Sequence, residues 1–130
     1  NRRYLSESLG RELTRCARRG LPLAVLAFDL DHFKAFNDNY GHAAGDAILR
    51  GFARVVQSLS RNEDIACRQG GEEFLLILPA MDRLVALRRA AEVMRQLAAM
   101  ARTWNGSRKT SDVPSARKSV WHARGAVAGS

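Results

Sequence analysis

At 130 residues the chain is long enough for one domain with a substantial core, and its 46% hydrophobic and 26% charged residues are ordinary for a soluble globular protein. No apolar run approaches the roughly 20 residues of a bilayer span, and the start Asn1-Arg2-Arg3-Tyr4 does not read as a secretory signal, so a soluble, cytoplasmic chain without a membrane segment is expected. Of the net charge of +8, residues 101–130 carry +5, six basic side chains against Asp112, leaving a mildly basic +3 on residues 1–100. That balance suits a phosphate-bearing small ligand as well as a polynucleotide.

Between Arg2 and Arg19, Leu5, Leu9, Leu13 and Ala17 recur every four residues among charges, which predicts an amphipathic helix stopped by Gly20 and Pro22. The apolar run Leu23 to Phe28 predicts a central strand covered on both faces. It ends in Asp29-Leu30-Asp31, and carboxylates at the end of a buried strand are costly unless paired, hydrogen-bonded or bound to a cation. Asp31 can N-cap the short helix through Phe33 and Phe36. Asp29 has no such role, and a cation site is the better account of it. After the polar break Asn37 to His42, Gly45-Asp46 opens a helix whose buried face is Ala44, Ile48, Phe52, Val55, Val56 and Leu59. Taken singly, Asn37, His42 and Asp46 read as turn and cap residues.

Arg61-Asn62-Glu63-Asp64 closes that helix, and an Arg and an Asp three apart read in isolation as a surface ion pair of little energetic weight. Ile65 to Cys67 begins a strand that enters Gly70-Gly71. Two glycines between strand-like segments signal a hairpin, because paired positive φ angles cost glycine little. Glu72 and Glu73 leave that turn as neighbours on opposite faces of the returning strand, Phe74 to Leu78, which Pro79 ends. Alone, the turn is a surface hairpin with two solvated glutamates. From Asp82 to Ala101, Leu84, Leu87, Ala91, Met94, Leu97 and Ala98 mark a long amphipathic helix. Cys16 and Cys67 lack Cys-x-x-Cys spacing and read as reduced structural thiols. Helices covering a small sheet make this an α/β or α+β sandwich.

The ordered set Asp29-Leu30-Asp31-His32-Phe33-Lys34-x-Phe36-Asn37-Asp38-x-Tyr40-Gly41-His42-x-x-Gly45-Asp46, Arg61-x-x-Asp64 and Gly70-Gly71-Glu72-Glu73-Phe74 closely resembles the GGDEF family of diguanylate cyclases, in the Glu form of the turn motif. The resemblance covers residues 1–100 and starts inside the family's first helix; the usual preceding Asp-x-Leu-Thr-Gly-Leu segment is not in this chain. It implies a palm-like nucleotide-cyclase fold, a central, mainly antiparallel sheet wrapped by helices and incomplete at the C-terminus. The implied reaction joins two GTP into cyclic di-GMP with release of two pyrophosphates.

Carried over by motif position, Asp29, Glu72 and the Leu30 carbonyl would hold Mg²⁺, with Mn²⁺ as a substitute. Asn37 and Asp46 would read the guanine edge with His42 nearby. Lys34 and the Phe33 backbone would hold phosphate beside Gly70 and Gly71. Glu72 would activate the attacking hydroxyl and Glu73 would support the turn and the metal site. Arg61 and Asp64 stand at the family's product-inhibition motif, where cyclic di-GMP acts as a brake. Because each domain binds one GTP, a catalytic homodimer is implied, driven by an upstream sensory or dimerising domain that these residues do not contain. The alternative is a catalytically impaired remnant that binds GTP or cyclic di-GMP as a receptor.

Residues 101–130 depart from the family. Neither its strand Thr-x-Ser-x-Gly-x-Ala nor the later helix with a triphosphate-binding Lys is recognisable, and by composition the segment reads as a basic, low-order tail. A truncated or frameshifted gene would account for the departure. Trp104 and Trp121 lie among basic residues, but the pattern is too diffuse for specific nucleic-acid binding.

Overall fold

The computed structural model of the chain describes the backbone of residues 2–105 and 116–123 and the side chains of 2–100 and 116–123. The elements run α1 (Arg2–Arg19), β1 (Leu23–Leu30), α2 (Phe33–Tyr40), α3 (His42–Ser58), β2 (Ile65–Gln69), β3 (Glu73–Pro79), α4 (Arg83–Asn105) and β4 (Ala116–Ala123). The strands form one sheet in the order β2-β3-β1-β4, with every neighbouring pair antiparallel. Two crossovers, one through α2 and α3 and one through α4, interleave around the β2–β3 hairpin, which is the split β-α-β arrangement of ferredoxin-like sheets. This bears out the expected α+β class with a central antiparallel sheet.

The core lies mainly on one sheet face. Ala24, Leu26, Phe28 and Leu30 of β1 and Phe74, Leu76 and Leu78 of β3 pack there against α2, α3 and α4. The aromatic column Phe28–Phe52–Phe74 pins α3 to the sheet, with ring centroids 6.2 Å and 4.5 Å apart. Each large apolar side chain buried this way contributes about 1.5–3 kcal/mol. The other face is covered only in part. There α1 lays Cys16, with Leu5 and Leu9, over Leu23 and Ile77, while Val25, Ala27 and Asp29 further along β1 stay half-buried. The expectation of full cover on both faces of β1 therefore holds at its start and fails at its carboxyl end. That uncovered end is where a polar site can exist.

Several local expectations shift. In α1 the stripe facing the sheet is Leu5, Ser8, Leu9, Glu12 and Cys16, and Leu13 is exposed, because the helix turns its small and polar residues toward the short strands β2 and β3. In α4 the inward residues are Ala86, Ala90, Val93 and Leu97, whereas Leu84 and Leu87 face out. Small residues let the helix approach the core closely, so size overrides hydrophobicity in choosing the face. Helix α3 opens earlier than expected, at His42, with Gly41 (φ 89°) as its N-cap. Cys16 and Cys67 are both free and buried, as expected.

The tail departs most from expectation. Residues 116–123 form a full edge strand whose register on β1 runs from Leu30↔Ala116 to Leu23↔Ala123. Composition hid it because only Ala116 and Val120 supply apolar bulk against the core, while β1 has an open edge of amides and carbonyls that any extended segment can satisfy. The remaining tail, residues 106–115 and 124–130, lies outside the described residues. Among the described residues no helix is long and apolar enough to cross a membrane.

Candidate active site

Asp29, Leu30, Glu72 and Glu73 meet at one end of the β1–β3 pair. Asp29, one residue before the end of β1, lies directly opposite Glu73, the first residue of β3. The Leu30 amide donates to the Glu72 carbonyl at 3.2 Å, so the hairpin tip is tied to the strand end. The connecting loop is Gly70-Gly71-Glu72, closed by the Gln69–Glu73 pair, and only Gly70 takes a positive φ (72°). The two-residue turn with paired positive φ expected from Gly-Gly is therefore a three-residue turn, since Glu72 joins the loop rather than the ladder. Arg68 donates from Nε to the Gly71 carbonyl at 3.1 Å and holds the tip from the β2 side.

Asp31 does not cap α2. His32 occupies the N-cap in the left-handed region (φ 57°) with no side-chain cap bond, and the Asp31 carboxylate instead pairs with Arg117 of β4. The same guanidinium reaches Asp29, Nη2 to Oδ2, at 3.2 Å. Asp29 and Arg117 are also ladder partners. A row Glu73–Asp29–Arg117 thus crosses three strands on one face. Among the described residues, no three or more His, Cys, Asp or Glu side chains are grouped closely enough to hold a metal ion by themselves.

The second part of the site is the α2–α3 junction. Gly41 closes α2 by donating its amide to the Asn37 carbonyl at 2.7 Å, and Gly45 donates to Gly41 at 3.2 Å. Gly45 is buried against the Asn37 side chain: a Cβ placed on Gly45 would stand 1.7 Å from Asn37 Oδ1. That oxygen is itself buried with no hydrogen-bond partner. Phe33, buried against Phe36, floors this junction, while Lys34 on the outer side of α2 and His42 at the start of α3 are exposed. Asp46 is exposed one residue past Gly45 and lines a cleft of about 280 Å³ between α3 and the β2–β3 hairpin, with Arg50, Cys67, Arg68 and Phe74. One helix therefore carries Gly45 toward Asn37 and Asp46 toward the hairpin.

Arg61 and Asp64 stand apart, at the end of β2 away from the turn. Their pair is not a surface one. The Asp64 carboxylate is fully buried, accepting the Arg61 amide at 2.8 Å, the Arg61 guanidinium at 2.6 and 2.9 Å, and Arg89 Nη1 of α4 at 3.0 Å. Arg61 also donates to the Pro79 carbonyl at 2.9 Å, tying the loop before β2 to the end of β3. Its hydrogen bonds to Asp64 raise its pKa above the ordinary arginine value against the opposing effect of burial. Sequence reading missed Arg89 and Arg117, each of which reaches its partner only through tertiary packing. For Arg117 the one available signal was the alternation that would have placed it on the Asp29 face had 116–123 been read as a strand.

The sequence model described as "Diguanylate cyclase, GGDEF domain" matches residues 1–116. The diguanylate cyclase VdcA of Vibrio cholerae is 46% identical over 78 residues, covering 60% of this chain and 23% of VdcA. The chain spans about a fifth of the length of the curated relatives it matches. Among solved structures, the diguanylate cyclase SiaD of Pseudomonas aeruginosa, in complex with its activator SiaC, superposes with a TM-score of 0.80 at 34% identity, over 96% of this chain and 47% of SiaD. The GGDEF domain of DgcB from Caulobacter crescentus, in complex with c-di-GMP, gives 0.77 at 25% identity over 95% of this chain and 72% of that domain. By the sequence-model match over most of its length, the chain belongs to the GGDEF domain family of diguanylate cyclases.

Proposed function

We propose that this domain condenses two GTP molecules into cyclic di-GMP with release of two pyrophosphates, the activity named for its relatives. The observation that carries the reading is the joined hairpin and strand end: Asp29 opposite Glu73, with Glu72 tied through its carbonyl to Leu30. Support for a hard divalent cation there, Mg²⁺ or Mn²⁺, comes from the chemistry of the donors. They are carboxylate and carbonyl oxygens, too few to cage an ion alone, and Mg²⁺ is usually held by one or two carboxylates together with substrate phosphates. Asp29, Glu72 and the Leu30 carbonyl would hold it. When bound, such an ion neutralises charge on the triphosphate.

The chain's own residues account for the remaining steps. Asn37 presents a buried, unpartnered Oδ1 beside Gly45, an acceptor awaiting a donor such as the guanine N–H edge, with Asp46 as the second acceptor. Lys34, exposed on α2, and the α2 backbone at Phe33 serve the phosphates. Glu72 accepts the proton of the attacking 3′-hydroxyl. The 3′-oxygen then bonds to the α-phosphorus of the facing GTP as the bond to pyrophosphate breaks. Repeating the step in the reverse sense closes the ring, which requires two domains face to face. Glu73 orients the turn. Arg61 can serve a cyclic di-GMP brake through the part of its guanidinium that stays exposed, since Asp64 is already saturated by Arg61 and Arg89.

The test is to incubate the chain with GTP and Mg²⁺ and to identify released and protein-bound nucleotides by mass spectrometry, with Glu72→Ala in parallel. Cyclic di-GMP that disappears in the variant is expected. Bound nucleotide without turnover would support the receptor reading instead, and absence of any nucleotide would overturn both.

A further inference from the structure

The row Glu73–Asp29–Arg117 places a cation of the chain's own on the carboxylates assigned to the metal. We infer that Arg117 is an internal competitor for the divalent-cation site: its guanidinium bridges Asp29 and Asp31, and a metal ion can take Asp29 Oδ2 only as Arg117 Nη2 lets go. The inference rests on the reading of Asp29 as a cation ligand. It does not depend on turnover.

Three features carry it. The bridge joins one guanidinium to two carboxylates on different backbone positions, Nη2 on Asp29 and Nε on Asp31. Its location is fixed by the ladder, since Arg117 is the register partner of Asp29 and cannot drift along the strand without breaking the β1–β4 pairing. Finally, the contact is releasable. The Arg117 side chain is 71% exposed and Asp29 39%, so water can take over either partner and the Asp29 pair is of the weak, screened kind, while Asp31, 22% exposed, can keep the arginine nearby. A strong buried bridge would abolish the metal site; an exposed one only raises the concentration of metal needed to fill it. The guanidinium also offsets the repulsion between Asp29 and Glu73 while no metal is there, which lets the two acids stand opposite each other.

The experiment is Mn²⁺ binding measured by electron paramagnetic resonance, in the presence of a saturating non-hydrolysable GTP analogue that supplies the phosphate ligands, on the chain and its Arg117→Gln and Asp29→Asn variants. Arg117→Gln is expected to bind Mn²⁺ about 1.5- to fivefold tighter, the factor that an exposed pair of this kind is worth, and Asp29→Asn is expected to lose the site. Unchanged or weaker binding in Arg117→Gln, with Asp29→Asn still losing the site, would overturn the competition and leave the cation site standing. No Mn²⁺ binding in either the chain or Arg117→Gln would overturn both. As the substitution can weaken β4, the intact chain supplies a second readout. Its Arg117 Nη2 proton resonances, the ones on Asp29, should move toward the value of an unpaired arginine as Mg²⁺ is added, and resonances that do not move while metal binds would overturn the inference.

Discussion

Asp29 and Glu73 face each other across β1 and β3, two carboxylates in direct ladder register at the end of the sheet that α1 leaves uncovered. Like charges directly opposite on neighbouring strands are destabilising by some tenths of a kcal/mol, and the arrangement persists here with Arg117 on the far side of Asp29. Stability alone does not favour this pair; a cation does.

Glu73→Gln should therefore separate stability from function. Removing one of the two facing charges is expected to raise the unfolding free energy by about 0.2–1 kcal/mol, while formation of cyclic di-GMP falls by at least about tenfold, the usual loss when a group orienting a metal site is neutralised. Urea unfolding and a product assay on the same preparation check both. A variant that is less stable than the parent would show that Glu73 serves the fold rather than the site.

Asp64 is the reverse case, a carboxylate held for structure. Its side chain is fully buried while Arg89 is 16% and Arg61 32% exposed, so Asp64→Ala leaves Arg89 as a nearly buried cation without its acceptor. The expected cost is about 3–5 kcal/mol, read as a lowered urea midpoint. Arg61→Ala should cost less, because Asp64 retains Arg89 and the lost guanidinium was partly in water. On the arginine side the raised pKa means that the contribution is fully present below the ordinary arginine pKa and is lost only above it, so the Arg61 part of the pair should not vary with pH near neutrality.

Phe74 links the motif turn to the core. It stacks on Phe52 of α3 at 4.5 Å, and Phe52 in turn meets Phe28 of β1, so one ring sets the spacing between the hairpin and the helix that carries Asp46. Phe74→Ala is expected to cost about 3–5 kcal/mol and to weaken GTP binding together with stability, whereas Phe74→Leu should restore most of both. Calorimetric GTP titration of the two variants distinguishes a packing role from a direct contact, which Leu would not rescue.

Much of this was legible in the sequence because its signals were local. The run Leu23 to Phe28 and the stretch of α1 each depend on neighbours in the chain, and both elements form where the pattern puts them, while the Gly-Gly hairpin forms with Glu72 added to its turn. What failed depended on distant partners. Leu84 and Leu87 read as the inward face of α4, but Ala86 and Ala90 win it by allowing closer approach. Asp31 read as a helix cap, but a basic side chain 86 positions later claims it. The strand Ala116–Ala123 has no apolar alternation to announce it and exists because β1 offers an open edge. At the site, the family motif singled out residues but not their contacts. The pattern marked Asp29, Asn37, Asp46 and Glu72, yet could not say that Asn37 Oδ1 would be buried without a partner or that Arg117 would stand beside Asp29.

Gly45 offers the sharpest test of the Asn37 reading, because two general rules predict opposite outcomes there. Replacing a helical glycine by alanine normally stabilises by about 0.5–1 kcal/mol. Gly10, exposed in α1 with nothing within 4 Å of an added Cβ, should follow that rule. At Gly45 the new methyl would stand 1.7 Å from Asn37 Oδ1 and 3.2 Å from the Phe33 ring, so the amide must leave its place. Overpacking of this kind costs about 1–3 kcal/mol, which reverses the sign. If Asn37 reads guanine, Gly45→Ala should also narrow the preference for GTP over ATP in competitive binding, while Gly10→Ala leaves it unchanged. Loss of stability with the preference intact would mean that the glycine is needed for packing alone and that the unpartnered Asn37 oxygen does not meet the base.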